Sequence, residues 1–130
     1  MDPKRVLIVD DEPVFLLAAR KVLQSSDFEV DVAETIEEVR TLLRRHPYDA
    51  VIADLRLTGA NGQEGLDIIR FVKERRPVTK VILMTAYGNT EVRLKASFLG
   101  ADLYLEKPVS IEVIRKSLAN FAAKQLQETS

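Results

Sequence analysis

Four short apolar runs constrain this chain more than anything else in it: Val6-Leu7-Ile8-Val9, Ala50-Val51-Ile52-Ala53, Val81-Ile82-Leu83-Met84 and Leu103-Tyr104-Leu105. A strand with one wet face alternates apolar and polar residues. These runs do not alternate, so each needs apolar cover on both faces. Parallel strands sandwiched between helices have that environment. Each run also ends in polar chemistry: Asp10-Asp11, Asp54, Thr85 and Glu106-Lys107-Pro108.

Between the runs the period changes to that of a helix. Strands are predicted at Arg5–Val9, Glu29–Ala33, Ala50–Asp54, Lys80–Thr85 and Asp102–Leu105. The first helix runs from near Pro13 to Gln24, with proline in the first turn, where its missing N–H costs least. Its stripe is Phe15, Ala19 and Val22, broadened by Leu16 and Leu23. Thr35 caps the second helix, and Glu38 three positions on makes a capping box; Ile36, Val39, Leu42 and Leu43 form its apolar face. The third helix covers Leu66–Arg75 with Leu66, Ile68, Ile69 and Val72 inward. The fourth begins near Asn89-Thr90 and stops at Gly100, a left-handed cap. Ser110 caps the fifth, which carries Ile111, Ile114, Leu118 and Phe121, and the polar tail from Lys124 frays. Five strands alternating with five helices through short connections give an α/β domain with a parallel sheet covered on both faces. The arrangement is the flavodoxin-like doubly wound (βα)5 fold with strand order 2-1-3-4-5.

Composition removes several function classes. The chain has 130 residues, 46% hydrophobic and 30% charged, which suits one domain with one core rather than disorder. With 19 basic and 20 acidic residues the net charge is −1, so direct nucleic-acid binding by this domain is not expected. Arg44-Arg45-His46 and Lys73-Glu74-Arg75-Arg76 are read as cations at helix C-termini. Without cysteine there is no disulfide, thiolate metal site or thiol nucleophile. No apolar stretch reaches the ~18 residues of a membrane span. No signal peptide fits before the first strand, and a cytoplasmic location is expected.

In an open parallel sheet, ligands gather at the carboxyl ends of the strands. That rule brings Asp10, Asp11, Asp54, Thr85 and Lys107 to one pocket. Three carboxylates, a hydroxyl and an ammonium suit a hard divalent cation and a phosphoryl group. Adjacent Asp10 and Asp11 repel unless a cation lies between them. Asp54 is equipped to bind metal, act as a base or accept a phosphoryl group as an acyl phosphate. Taken singly, each residue has a plainer reading: Asp11 or Glu12 as a helix cap, Asp54 as a loop cap, Thr85 as an ordinary strand threonine, Lys107 as a solvent-facing lysine. Their common placement at strand ends is what points to a site.

The segments Val6-Leu7-Ile8-Val9-Asp10-Asp11-Glu12, Asp54-Leu55-Arg56-Leu57, Ile82-Leu83-Met84-Thr85-Ala86-Tyr87-Gly88 and Gly100-Ala101-Asp102-Leu103-Tyr104-Leu105-Glu106-Lys107-Pro108 together resemble the receiver domains of two-component response regulators, chemotaxis-regulator-like in form. The resemblance covers nearly the whole chain, from about Lys4 to Asn120. It implies that Asp54 is the phosphoacceptor and that Asp10, Asp11, Asp54 and the backbone carbonyl of Arg56 hold Mg²⁺, with Mn²⁺ as the alternative ion. It further implies that Thr85 and Lys107 bind phosphoryl oxygens, that the Lys107-Pro108 bond is cis, and that Thr85 and Tyr104 form a switch. The switch would reshape the face made by the fourth helix, fifth strand and fifth helix. The implied donor is a sensor histidine kinase or a histidine phosphotransfer protein. The expected domain is 1–123, with 124–130 as a polar tail or the start of a linker to an effector domain.

The chain departs from the usual pattern after Asp54. Thr58 stands where proline is common, and Gly65-Leu66-Asp67-Ile68-Ile69 comes about three positions late, as if residues were inserted. Gly59, Gly62 and Gly65 do not make a phosphate loop, because the P-loop Lys-Ser/Thr ending is missing. Arg56 and Tyr87 are large enough to cover the approach of hydrolytic water, which predicts slow loss of the phosphoryl group. Leu94 and Phe98 fall on the outward side of the fourth helix, away from Val92, Ala96 and Leu99, and with Leu103 they suggest an effector or homodimer surface. Val14 and Leu17 are left over on the first helix, where the family docks its phosphodonor. His46, the only histidine, sits far from the strand ends.

The leading expectation is a phosphorelay switch that turns over no separate substrate. One rival is an aspartyl phosphohydrolase, which would want a second acid near Asp54 and a substrate cap; Arg56 stands there instead. A nucleotide-holding flavodoxin-like protein would want a Ser/Thr/Gly-rich first loop, not Asp10-Asp11-Glu12-Pro13. The remaining alternative is a receiver-like dimerisation or interaction module that works without phosphorylation.

Overall fold

The computed structural model describes residues 3–56, 64–86 and 90–129, with side chains as far as Phe121. The elements alternate along the chain: β1 (Lys4–Val9), α1 (Pro13–Leu23), β2 (Phe28–Ala33), α2 (Ile36–Arg45), β3 (Ala50–Asp54), α3 (Glu64–Arg75), β4 (Lys80–Thr85), α4 (Thr90–Leu99), β5 (Leu103–Glu106) and α5 (Ile111–Thr129). The sheet order is β2-β1-β3-β4-β5, and every neighbouring pair is parallel. Ile8 pairs with Ile52, Val51 with Val81 and Leu83 with Tyr104.

The unbroken apolar runs are explained by two cores, one on each side of the sheet. Leu7, Val9, Val51, Ala53, Val81 and Leu83 face one way, against Val39 of α2, Ile69 and Val72 of α3, and Val92 and Ala96 of α4. Their neighbours Val6, Ile8, Ile52, Ile82 and Met84 face the other way, against Leu16, Ala19 and Leu23 of α1 and Ile114 and Leu118 of α5. Alternate residues point to opposite faces, so both sets must be apolar.

The predicted caps form. Thr35 accepts a hydrogen bond from the Glu38 N–H at 3.2 Å. The Glu38 carboxylate reaches back to the N–H of Glu34 at 2.9 Å, one residue before the usual box partner. Ser110 Oγ accepts from the Val113 N–H at 3.1 Å. Gly100 closes α4 at φ 109°, a conformation that favours glycine.

Four expectations need correction. Val22 is exposed, because the buried line of α1 runs through Leu16, Ala19 and Leu23. At ~100° per residue Val22 lies about a quarter turn off that line. Helix α3 starts at Glu64, so Glu64 and Gly65 lie in its first turn rather than in the preceding loop. Helix α5 continues through the tail to Thr129, carried by good helix formers such as Ala122, Ala123, Lys124 and Gln125. Leu103 does not join Leu94 and Phe98. Strand alternation turns it, half-buried, onto the α1/α5 core, while Tyr104 faces the core beneath α4. Among the described residues no helix is long and apolar enough to cross a membrane.

Candidate functional site

The carboxyl ends of β1, β3, β4 and β5 meet at one edge of the sheet, and each contributes a polar side chain. Asp10 directly follows β1, and its N–H continues the ladder to Ala33 O at 3.1 Å. Asp54 is the last residue of β3 and Thr85 the last of β4. Lys107 follows β5 and is tied to β4 by its N–H, which donates to Thr85 O at 2.8 Å. The Lys107-Pro108 peptide is cis, as the resemblance implied.

The carboxylates of Asp10, Asp11 and Asp54 lie within 4.8 Å of one another. Asp10 is 1% and Asp54 7% exposed, while Asp11 is half-buried. Asp10 and Asp54 are held alike. One oxygen accepts from the backbone two residues on: Asp10 Oδ1 from the Glu12 N–H at 3.0 Å, and Asp54 Oδ1 from the Arg56 N–H at 3.2 Å. This is the local turn that aspartate favours. The other oxygen of each faces the Lys107 ammonium, at 3.1 Å from Asp10 Oδ2 and 2.8 Å from Asp54 Oδ2.

Burial pushes the Asp10 carboxyl above its ordinary value, and the Glu12 N–H and Lys107 only partly oppose it. Burial also works against the Lys107 charge, but the hydrogen bonds to Asp54 and Asp10 outweigh it and the ammonium is held above its usual value. The two directions are compatible, because one ammonium is divided between two carboxylates with a third beside them. An all-oxygen set in want of further positive charge fits a hard divalent cation.

Thr85 is buried at the end of β4. Tyr104 lies beneath α4 with the Arg93 guanidinium 5.5 Å from its ring centroid. Its hydroxyl is buried without a hydrogen-bond partner among the described residues, and burial, then Glu106, push its pKa up. The Arg56 side chain is exposed; Tyr87, the other residue expected to shield the acceptor, lies outside the described residues, as does the 57–63 segment. Val14, Leu17, Leu94 and Phe98 are exposed at 81%, 71%, 66% and 91%. His46 caps the end of α2, edge-on to the Tyr48 ring, and takes no part in the site.

One residue of the site was misjudged from sequence. Gly65 gives its N–H to Leu55 O at 2.9 Å, and a Cβ there would stand 2.7 Å from Leu55 Cα and 2.8 Å from Asp54 O. Its lack of a side chain lets α3 press directly on the strand end that carries Asp54. The signal available was a glycine just before the inward Leu66, where close helix–strand approach is a standing use of glycine.

Comparison with known proteins agrees with this geometry. The family model for the response regulator receiver domain matches residues 6–119. The response regulator protein PilR of Pseudomonas aeruginosa is 34% identical over 119 residues, which are 92% of this chain and 26% of that protein. A CheY-like receiver domain protein from Methanospirillum hungatei superposes at TM-score 0.86 with 26% identity, covering 97% of this chain and 98% of the other. A response regulator from Burkholderia pseudomallei, solved with a phosphorylated aspartic acid, a calcium ion and citrate, gives TM-score 0.79 at 27% identity, over 96% of this chain and 72% of its own. The chain spans between 26% and 62% of the length of curated relatives that it matches. With a matching family model over most of its length and a 2-1-3-4-5 parallel sheet, the chain belongs to the receiver domains of two-component response regulators.

Proposed function

We propose that Asp54 accepts a phosphoryl group from a phosphohistidine, on a sensor histidine kinase or a histidine phosphotransfer protein, and that the resulting acyl phosphate works as a signalling switch. The observation that carries this is the Lys107 ammonium seated on Asp54 Oδ2 within the three-carboxylate cluster. In the step, an Asp54 carboxylate oxygen forms the new P–O bond as the P–N bond to the donor imidazole breaks. Such transfers depend on positioning and charge neutralisation more than on further covalent chemistry. The Arg56 N–H fixes one oxygen of Asp54, and Lys107 supplies a cation at the other.

Asp10, Asp11 and Asp54, with the Arg56 backbone carbonyl, would hold Mg²⁺ or Mn²⁺. When bound, the ion offsets repulsion between these carboxylates and the incoming phosphoryl oxygens. Thr85, at the end of β4, would donate its hydroxyl to a phosphoryl oxygen, a contact that exists only in the modified state and so shifts a conformational equilibrium. The buried Tyr104 hydroxyl, without a hydrogen-bond partner among the described residues, supports Tyr104 as the second element of the switch. Exposed Leu94 and Phe98 support an effector or homodimer contact on the α4-β5-α5 side, and exposed Val14 and Leu17 support donor docking on α1. Arg56 and Tyr87 would slow hydrolysis of the acyl phosphate. The signalling unit would be 1–123, in a cytoplasmic protein.

Intact mass after incubation with acetyl phosphate and Mg²⁺ tests the proposal. One phosphoryl increment is expected, absent from Asp54→Ala and from a sample treated with EDTA. An unmodified wild type, sampled early and also offered a competent histidine phosphodonor, would overturn it and favour an interaction module that works without phosphorylation.

A further inference from the structure

At the pole of the sheet opposite Asp54, the ends of α2 and α3 close on a cavity of about 440 Å³. Arg44 and Arg45 line it from α2, and Arg75 and Arg76 from the end of α3, with no carboxylate among the lining residues. In sequence each arginine pair is explained by the helix C-terminus at which it stands. The fold gathers both pairs around one space. Each helix end offers about −0.5 charge, so two of them leave roughly +3 of the four guanidinium charges unbalanced. Among the described residues none of the four makes an ion pair.

Two of the guanidinium groups are already placed. Arg76 Nη1 donates to Tyr48 O at 2.8 Å, and the Arg75 guanidinium lies 5.6 Å from the centroid of the Phe71 ring. Leu43, Pro47 and the buried Val72 add an apolar part to the lining. Planar guanidinium groups recognise phosphate in a bidentate way, and the volume lies within the range of small-molecule sites. We infer that this cavity binds a small organophosphate of the nucleotide class, its di- or triphosphate on the arginines and its ring against Leu43 and Pro47. The charge of such a group matches the surplus. This site is separate from the Asp54 pocket and independent of the function proposed for it.

The test is amide NMR of the full ¹⁵N-labelled chain in EDTA, titrated separately with ADP, ATP, GTP and inorganic pyrophosphate. Saturable shifts confined to 44–48 and 75–79 are expected, with nucleotide binding more tightly than pyrophosphate. The Arg44→Gln/Arg45→Gln variant, whose side chains are exposed, should keep wild-type spectral dispersion and acetyl phosphate labelling of Asp54 while binding roughly tenfold more weakly. Absence of saturable shifts with nucleotide at concentrations on the order of millimolar would overturn the inference. So would equal binding of pyrophosphate, or shifts produced by polyglutamate or an RNA oligonucleotide and not by nucleotides.

Discussion

Lys107 Nζ lies 2.8 Å from Asp54 Oδ2, an ion pair closed across 53 positions of the chain, and the same ammonium reaches Asp10. The carboxylates are nearly buried while the lysine side chain is 23% exposed. Replacing it with methionine leaves two buried acids without their cation. The full cost of orphaning a buried charge is 3–5 kcal/mol, and partial exposure here reduces that to ~2 kcal/mol. Urea unfolding in EDTA should show Lys107→Met less stable by that amount. Removing a competing positive charge should also tighten Mg²⁺ binding several-fold, so added Mg²⁺ should stabilise the variant more than the wild type. Equal stability in EDTA would show that the ammonium does not hold the acids in place.

Gly65→Ala sets two effects against each other. Alanine favours a helix by up to ~1 kcal/mol over glycine. The added methyl, however, would stand 2.7 Å from Leu55 Cα and 2.8 Å from Asp54 O, both backbone atoms, and 2.7 Å from the buried Leu83 side chain. Overpacking of this kind costs about 1–3 kcal/mol, so the steric effect wins. The variant should unfold at lower urea. Because α3 must back away from β3 next to Asp54, its labelling by acetyl phosphate should also slow by roughly tenfold, the scale on which small misplacements act. A variant as stable and as reactive as wild type would remove Gly65 from any part in positioning Asp54.

The limits of the strands were legible because their apolar runs end abruptly in polar residues: β3 and β4 match expectation residue for residue. Asp10, Asp11, Asp54, Thr85 and Lys107 were legible as a group for the same reason, since a parallel sheet carries its strand ends to one edge. The face of a residue on a short strand was harder. Leu103 and Tyr104 are both half-buried on β5, and only knowledge of which helices cover which side separates them. Long-range convergence was harder still. Arg44 and Arg75 are each ordinary at a helix end, and their shared cavity follows from how α2 and α3 pack beside each other. Gly65 read as loop glycine because the lengthened segment before it hid the start of α3.

Tyr48 predicts a pH dependence. Its ring is buried, and its hydroxyl donates to Asp31 Oδ2 at 2.6 Å. Burial first, then Asp31, push its pKa far above the ordinary tyrosine value. A group whose folded pKa is raised contributes stability that is complete below the unfolded value, about 10 for tyrosine, and that disappears as pH rises toward the folded value. Wild-type stability should therefore fall as pH rises above about 10. Tyr48→Phe should be weaker at neutral pH by ~1–2 kcal/mol for the lost hydrogen bond, and its stability should change less over the alkaline range. Urea unfolding at neutral and alkaline pH measures both slopes; parallel curves would sink the assignment.

Leu94, Phe98 and Leu103 were expected to share one surface, and the structure separates them. Phe98 is 91% and Leu94 66% exposed on α4, while Leu103 packs from β5 into the core beneath α1 and α5. The same kind of substitution should therefore give opposite results. Leu94→Glu and Phe98→Glu remove apolar surface that already faces water, so each should stay within ~0.5 kcal/mol of wild-type stability. Leu103→Asp puts an unpaired carboxylate against the core covered by α1 and α5, and should cost on the order of 2–4 kcal/mol. If α4 is the contact surface, light scattering or binding to an effector should register the α4 changes while urea unfolding does not. For Leu103→Asp the order reverses: unfolding responds first, and any loss of association follows from it. A Leu103→Asp variant of normal stability would show that β5 is not held by this core, and a Phe98→Glu variant with unchanged association would leave the α4 side as plain solvent-exposed surface.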